Sequence, residues 1–118
     1  MGRRILFVDD VRDFQDLKEG DTLVTARTSE EALAHLTDYR YPPFDWIWLD
    51  FDLGGVFGQL DLYDTAMPIA LLLAELAFYG KPYPCDTIFI HTMNPVGQQA
   101  MTLLLDRFGY NVITTESF

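Results

Sequence analysis

Short runs of large apolar residues alternate with longer segments of helical spacing along the chain. Residues 5–8, 46–49 and 87–90 are apolar runs that are too short for a helix but suit strands covered on both faces. Residues 22–26 alternate polar and apolar positions, which is typical of a strand near a sheet edge, and residues 111–114 form a last short run. The pattern therefore predicts five strands.

Two helices are predicted in the first half of the chain. Residues 11–19 carry apolar side chains at roughly helical spacing and stop at Gly20. A capping box begins the second helix, with Thr28 or Ser29 as the cap, and this helix runs to about Tyr39. Each helix therefore connects two predicted strands.

The second half of the chain contains two more predicted helices and one segment without any period. Residues 53–60 include three glycines, so we expect a mobile loop there. The helix that follows has Pro68 in its first turn, ends before Gly80 and is apolar nearly all round, which is typical of a helix buried on more than one side. Asn94 caps the last helix, which Gly109 ends.

This alternation of strands and helices predicts an α/β fold with a parallel sheet. We expect a flavodoxin-like sandwich of three layers, with strand order 2-1-3-4-5 and no helix after the last strand. By its length the chain forms one domain, residues 1–118. In this order the first, third and fourth strands end side by side at one edge of the sheet, where such folds bind ligands.

Acidic side chains directly follow two of those three strands. Asp9 and Asp10 come after the first strand, and Asp50 and Asp52 come after the third. Carboxylates that lie this close need a counter-charge, which Mg²⁺ or Mn²⁺ would supply because such ions prefer oxygen ligands. We predict Asp10 and Asp50 as the first metal ligands, with Asp9 and Asp52 beside them. Helix capping or solvent exposure is the alternative for Asp9 and Asp52.

The fourth strand and the helix after it add polar groups to the same edge. His91 can transfer a proton near neutral pH, although a histidine at a strand end is often only a hydrogen-bonded filler. The amides at the helix start from Asn94 to Gly97 can hold a phosphate, and a glycine lets a ligand approach the backbone. Arg12 could bind a phosphate oxygen; a surface ion pair with Asp13 or with Asp16 is the alternative.

Overall charge and composition limit the compartment and the partners. A formal net charge of −10 argues against non-specific nucleic-acid binding, and it disfavours any phosphate ligand unless a cation is present. The single cysteine, Cys85, cannot form an internal disulfide, which favours a reducing compartment. The N-terminal apolar run is too short for a signal peptide, and the longest apolar stretch, residues 66–79, is too short to cross a membrane. We therefore expect a cytoplasmic protein that does not bind membranes.

The acids and the hydroxyl residue Thr92 resemble the receiver domains of bacterial response regulators. That resemblance implies that Asp9 and Asp10 bind a metal, that Asp50 accepts a phosphoryl group, and that Thr92 is the switch hydroxyl. Two features depart from it, because residues 112–116 hold no lysine and the closing helix is missing.

A narrower resemblance rests on three motifs, residues 6–12 (LFVDDVR), 49–54 (LDFDLG) and 91–97 (HTMNPVG), together with Met101. They are similar to the cyclic-phosphate-processing receiver family of bacteria and phages. This resemblance implies a receiver-like fold whose acidic pocket, with His91, handles cyclic phosphates. It also implies roles for Asp52, Arg12 and Asn94 that an ordinary receiver does not require.

Our first hypothesis is a metal-dependent phosphodiesterase that acts on a cyclic nucleotide or on an RNA end with a 2′,3′-cyclic phosphate. In it His91, Asp50 and Asp52 are catalytic, while Arg12, Thr92 and the helix start from Asn94 to Gly97 position the phosphate. The alternatives are a non-catalytic module that binds a nucleotide or a partner protein, and a working phosphoacceptor at Asp50. The apolar third helix and the missing last helix also predict a homodimer.

Overall fold

The computed structural model describes residues 2–57 and 62–115, with the backbone alone at residues 55–57 and 62. The elements follow one another in the chain as β1 Arg4–Val8, β2 Thr22–Ala26, α1 Ser29–Leu36, β3 Trp46–Leu49, β4 Asp52–Phe57, β5 Leu62–Thr65, α2 Met67–Phe78, β6 Thr87–His91, α3 Pro95–Arg107 and β7 Val112–Thr115.

Five of the strands form one sheet in the order β2-β1-β3-β6-β7, and every neighbouring pair is parallel. Strands β4 and β5 form a separate antiparallel pair outside this sheet. With that hairpin set aside, the order equals the predicted 2-1-3-4-5. The flavodoxin-like α/β fold is therefore confirmed, and β1, β3 and β6 end side by side as expected.

The three helices of the described chain pack in one layer against one face of the sheet. The predicted third layer is therefore absent among the described residues, because the segment after β1 is irregular and not helical. Helix α2 contacts both α1 and α3, while α1 lies against β1 and β2 and α3 lies against β6 and β7. Alternate residues of the central strands meet the helices in a shared core, in which a fully buried Leu or Ile contributes about 1.5–3 kcal/mol. The fully buried members include Leu6, Val8, Ile47, Leu49, Ile88, Ile90, Ile69, Leu73, Met101 and Leu105.

The opposite face of the sheet carries aromatic side chains. Trp48 stacks on Phe89 with ring centroids 4.2 Å apart, and Phe14 lies edge-on to Trp48 at 5.1 Å. The ring of Phe14 also contacts Phe7, with centroids 5.4 Å apart. Phe14 belongs to an irregular segment, and this segment occupies the place where the predicted fold has a helix.

The predicted helix over residues 11–19 is wrong, because this segment is irregular, and the described chain has three helices where four were expected. Local and distant groups bind its backbone in another conformation. The carboxylate of Asp9 accepts hydrogen bonds from the amides of Val11 and Arg12, at 3.0 and 2.8 Å. The guanidinium of Arg27 donates to the carbonyl oxygens of Asp9 and Arg12. In a helix over residues 11–19 the carbonyl of Arg12 would accept the amide hydrogen four residues later, so the bond from Arg27 competes with it. The Asp9 bonds are those of a helix cap and are compatible with either conformation.

The predicted mobile loop over residues 53–60 is wrong for residues 53–57, which belong to β4 and pair with β5. Residues 58–60 lie outside the described part of the chain. The strand pairing is irregular, with a register shift between Asp52 and Val56, and Gly54 has a φ of +56°. Because the shift interrupts the two-residue period of a strand, the sequence pattern gave no sign of the hairpin.

The predicted N-termini of the helices are confirmed. Thr28 caps α1 and Asn94 caps α3, each accepting a hydrogen bond from the amide three residues later, and prolines stand in the first turns of α2 and α3. Such a cap contributes typically about 1 kcal/mol. The end of α1 was predicted at about Tyr39, but the helix stops at Leu36.

Helix α2 is buried on one side only, so the prediction of burial on several sides is wrong. Its buried residues are Ile69, Ala70, Leu73 and Ala74, whereas Leu71 is 53% exposed and Phe78 is 70% exposed. The sheet and the two neighbouring helices cover only one side of α2, so its other apolar residues remain exposed. Among the described residues, no helix has both the length and the apolar character that crossing a membrane requires.

Candidate functional site

Three carboxylates meet where β1 and β3 end. These strands pair in parallel with Val8 opposite Leu49, so the residues after them emerge at the same level. One carboxylate oxygen from each of Asp9, Asp10 and Asp50 lies within 4.8 Å of the other two. We call these three residues the acid cluster. Asp9 and Asp50 are buried and Asp10 is half-buried, so the cluster is largely shielded from water.

Arg12 provides a counter-charge inside the chain. Its Nε lies 2.7 Å from Asp9 Oδ2, and its Nη2 lies 3.3 Å from Asp50 Oδ2. The same Nη2 donates to the carbonyl oxygen of His91 at 3.2 Å. The alternative for Arg12 was an ion pair with Asp13 or Asp16, but Asp13 pairs with Arg27, at 2.7 Å. Arg12 thus neutralises part of the negative charge of the carboxylates, for which the sequence predicted a metal ion alone.

The pKa of Asp50 shows that negative charge remains in the acid cluster beside Arg12. Burial raises the pKa of the Asp50 carboxyl, and the neighbouring Asp9 raises it further. Hydrogen bonding to the hydroxyl of Thr92 and the charge of Arg12 oppose this rise of the pKa without cancelling it. The ionised carboxylate is therefore not fully compensated by protein groups, and a cation beside it would favour the ionised form.

The carboxylate oxygens that accept the fewest hydrogen bonds from the protein are the ones best able to bind a metal ion. Both oxygens of Asp9 already accept hydrogen bonds, Oδ1 from the amides of Val11 and Arg12 and Oδ2 from the Arg12 side chain. Within the described part of the chain, Asp10 and Asp50 accept fewer hydrogen bonds than Asp9 does, and those of Asp50 come from Arg12 and Thr92. At Gly54 the backbone comes so close to Asp10 that a Cβ there would lie 2.5 Å from Oδ2. Carboxylate oxygens in such a group fit a hard divalent cation, with Asp10 and Asp50 as the better ligands.

The start of α3 is tied directly to β4, and its link to the acid cluster runs through the hydroxyl of Thr92, which accepts the amide hydrogen of Asn94 at 3.2 Å and bonds to Asp50. Asn94 Oδ1 accepts the amide hydrogen of Gly97 at 2.9 Å, and its Nδ2 donates to Asp52 Oδ2 at 3.1 Å. A Cβ at Gly97 would overlap the ring of Phe51, so close packing requires a glycine there. Gly97 is buried against that ring. The contacts of Asn94 and Gly97 with a phosphate stay predictions.

A cavity of about 270 Å³ opens beside the acid cluster. We call it the acid cavity. Four of the six residues that line it are predicted site residues, and the other two are Val11 and Met93. The residues that line it are Val11, Arg12, Asp50, Asp52, Thr92 and Met93.

His91 faces a second cavity, of about 440 Å³, which lies on the aromatic side of the sheet. We call it the aromatic cavity; the rings of Phe7, Phe14, Trp48 and His91 line it together with Arg12, and residues 13, 15 and 16 form the polar part. The structure thus brings His91 to the predicted edge, but the imidazole is not a wall of the acid cavity. Arg12 is common to both cavities.

The imidazole of His91 is held from two sides. Its Nδ1 lies 2.8 Å from Thr115 Oγ1, and its ring lies edge-on to Trp48 with centroids 5.9 Å apart. Burial lowers the pKa of His91, the charge of Arg12 lowers it further, and the charge of Asp9 opposes both. The lowered pKa favours the neutral form of His91, which has one ring nitrogen beyond the bond to Thr115.

The sequence model of the cyclic-phosphate processing receiver domain matches residues 4–107 of this chain. The chain belongs to that family. No curated protein matches the sequence. One solved chain, described as a yeast Spc42 trimeric coiled-coil segment (amino acids 181–211) fused to another protein, is similar with 18% identity and a TM-score of 0.48. That similarity covers 97% of this chain and 67% of the solved one, and at this TM-score it carries no argument.

This cyclic-phosphate processing receiver domain has two features that the sequence argument missed. The first is Asp64 in β5, a buried carboxylate that accepts hydrogen bonds from Ser29 N at 2.6 Å and from Ser29 Oγ at 2.5 Å. It fixes the β4–β5 hairpin to the start of α1, and no sequence signal pointed to it. The second is the aromatic cavity, for which large rings at alternate positions of β3 (Trp46, Trp48) were an available signal.

Proposed function

We propose that this domain binds a cyclic phosphate in the acid cavity and hydrolyses it with the help of a divalent cation held by the acid cluster. The observation that carries this proposal is the convergence of Asp9, Asp10 and Asp50 beside the guanidinium of Arg12, in a chain that belongs to the cyclic-phosphate processing family. An ordinary polar turn would not bury two of these carboxylates.

The phosphate is bound by the side chains that line the acid cavity. Arg12 presents N–H donors there, and Thr92 presents a hydroxyl that already contacts Asp50. A phosphate would take over some of the hydrogen bonds that Arg12 now gives to the carboxylates. The carboxylates released in this way are then available to the cation, so phosphate and cation favour each other.

The reaction is hydrolysis of one ring ester bond. Water adds to phosphorus, the P–O bond to one ring oxygen breaks, and that oxygen keeps the electron pair and takes a proton. The product is a phosphate monoester. A bound divalent cation polarises the phosphoryl oxygen and lowers the pKa of water. Asp10 and Asp50 hold the cation in this proposal, and Mg²⁺ or Mn²⁺ fits their oxygen ligands.

Two predicted catalytic residues lie beside this centre. Asp52 is a wall of the acid cavity but lies outside the acid cluster, so in our proposal it positions the start of α3 through Asn94. The lowered pKa of His91 favours its neutral form, so in our proposal His91, on the other side of Arg12, acts as a general base that takes a proton from the attacking water, and the proton is then passed on to the leaving oxygen. The replacement of His91 by alanine tests this role.

The test is turnover of 2′,3′- and 3′,5′-cyclic nucleotides by the wild-type domain with Mg²⁺ or Mn²⁺. We expect monoester product from the wild type, loss of at least about 100-fold in Asp50→Asn, and a smaller loss in His91→Ala. Asp106→Asn, on the exposed side of α3, is the matched control and keeps full activity. Equal turnover by wild type and Asp50→Asn would contradict the proposal. Unchanged turnover by His91→Ala would remove His91 from the mechanism.

A second candidate function is binding without turnover. Arg12 already neutralises part of the acid cluster, so the pocket is stable as a recognition site for a nucleotide or a partner protein. Isothermal titration separates the two functions, because binding without monoester product would favour this one. Phosphoryl transfer to Asp50 is the third candidate, and failure of acetyl phosphate to label Asp50 would exclude it.

We also propose a homodimer, because α2 exposes large apolar side chains. Leu71, Phe78 and Tyr79 are all more than half exposed. Covering such a surface would remove apolar area from water. Light scattering at high protein concentration tests the dimer, and a monomer under those conditions would contradict it.

A further inference from the structure

The aromatic cavity adjoins the acid cavity, and Arg12 forms part of the wall of both. The acid cavity alone, at about 270 Å³, is smaller than the 300–1,000 Å³ that is usual for small-molecule sites. The aromatic cavity, at about 440 Å³, lies within that range. A ligand whose phosphate lies at Arg12 therefore has room for its remaining part on the aromatic side.

The walls of the aromatic cavity suit a flat, unsaturated ring. Phe14 and Trp48 are inclined to each other by 72° with centroids 5.1 Å apart, and His91 is also inclined by 72° to Trp48. Three aromatic rings and the imidazole of His91 thus line the cavity, and side chains of these kinds bind planar rings by stacking. The indole Nε1 of Trp48 is buried and has no hydrogen-bond acceptor among the described residues.

We propose that the aromatic cavity holds the base of a nucleoside cyclic phosphate whose phosphate lies in the acid cavity. This inference rests on the proposed function and narrows its substrate class from cyclic phosphates in general to cyclic mononucleotides. The base stacks among Phe14, Trp48 and His91, and Arg12 lies between base and phosphate.

Charge favours a single nucleotide over an RNA end. Asp13 and Asp16 lie in the polar part of the aromatic cavity, and the chain carries a formal net charge of −10. Further phosphates of an RNA chain would meet these carboxylates and the overall negative field. Amino groups of a base, in contrast, would find acceptors there.

The experiment compares ligands that share a phosphate but differ in the base. Isothermal titration at 5 °C with Mg²⁺ measures binding of adenosine 2′,3′-cyclic phosphate, of methyl riboside 2′,3′-cyclic phosphate, which lacks the base, and of adenosine. Chromatography after each titration checks that the ligand is intact. We expect the nucleotide to bind about 5- to 150-fold more tightly than the base-free ligand, the range for one stacked base.

Three variants assign this preference to the aromatic cavity. Phe14→Leu removes the ring and is expected to reduce the preference for the nucleotide at least about fivefold, the lower limit for a stacked base. Phe14→Tyr keeps the ring and keeps the preference, which also separates lost stacking from lost folding. Phe78→Leu makes the same change on the exposed side of α2 and leaves binding as in the wild type. Equal binding of both cyclic ligands by the wild type, or a preference that survives Phe14→Leu, would overturn the inference.

The single ligands show which claim has failed. If adenosine binds and the base-free cyclic phosphate does not, the base site stands and the proposed function fails. If the base-free ligand binds as well as the nucleotide and adenosine does not bind, the base site fails and the proposed function stands. Absence of all binding overturns both. Tighter binding of a trinucleotide with a 2′,3′-cyclic end would overturn the choice of a single nucleotide.

Discussion

Replacement of Asp64 by alanine is expected to cause a large loss of stability, because this carboxylate fixes the β4–β5 hairpin to α1. The side chain is only 8% exposed and accepts two short hydrogen bonds from Ser29, at 2.6 and 2.5 Å. Each hydrogen bond to a charged group contributes about 1.5–3 kcal/mol, and Asp64→Ala leaves both donors buried without an acceptor. We therefore expect the free energy of unfolding to fall by about 3–5 kcal/mol.

Urea unfolding followed by the fluorescence of Trp46 and Trp48 measures this loss. With a slope of about 1–3 kcal/mol per molar urea, the midpoint should fall by more than about 1 M. Ser29→Ala removes only the hydroxyl and should cost about 1–2 kcal/mol, while Asp106→Ala, an exposed aspartate on α3, should change stability by less than about 0.5 kcal/mol. A loss below about 1 kcal/mol in Asp64→Ala would show that the two hydrogen bonds contribute almost nothing and that Asp64 does not fix the hairpin to α1.

Three further predictions concern packing, reactivity and charge. Gly97→Ala should lower stability by about 1–3 kcal/mol, because its Cβ overlaps the ring of Phe51; a thermal melt that shows stabilisation would contradict this. Burial raises the pKa of the Cys85 thiol to about 11, so its reaction with Ellman's reagent at pH 8 should be at least about tenfold slower in the native state than in urea, and equal rates would disprove it. Arg12→Gln should lower the melting temperature in EDTA, since the acid cluster loses its internal counter-charge, and Mg²⁺ should recover part of the loss; no recovery would count against a cation site.

The sheet and the helix starts could be predicted because their signals are local. Apolar runs such as residues 46–49 have one physical solution in an alternating chain, a buried parallel strand, and the acids after such runs must meet at one edge. The caps at Thr28 and Asn94 depend on bonds to amides only three residues away. Such features need no knowledge of distant contacts.

The features that were missed depend on contacts between distant residues. Arg27 binds the backbone after β1 and keeps residues 11–19 from forming a helix, although their apolar spacing favours one. Asp64 reaches Ser29 across 35 positions, within a segment that has no sequence period. The pairing of Arg12 with Asp9 and Asp50 also arises only when the strand ends have met. Helical spacing and charge patterns do not encode these contacts.

If the acid cluster binds a divalent cation, a titration with Mn²⁺ detects that binding without any substrate. Electron paramagnetic resonance of free Mn²⁺ reports binding by the wild type, by Asp50→Asn and by Asp52→Asn. We expect one ion per wild-type chain, at least about tenfold weaker binding (1.4 kcal/mol) in Asp50→Asn, and wild-type binding in Asp52→Asn, which changes an acid outside the cluster. No binding by the wild type, or equal binding by wild type and Asp50→Asn, would rule out a cation site at the acid cluster.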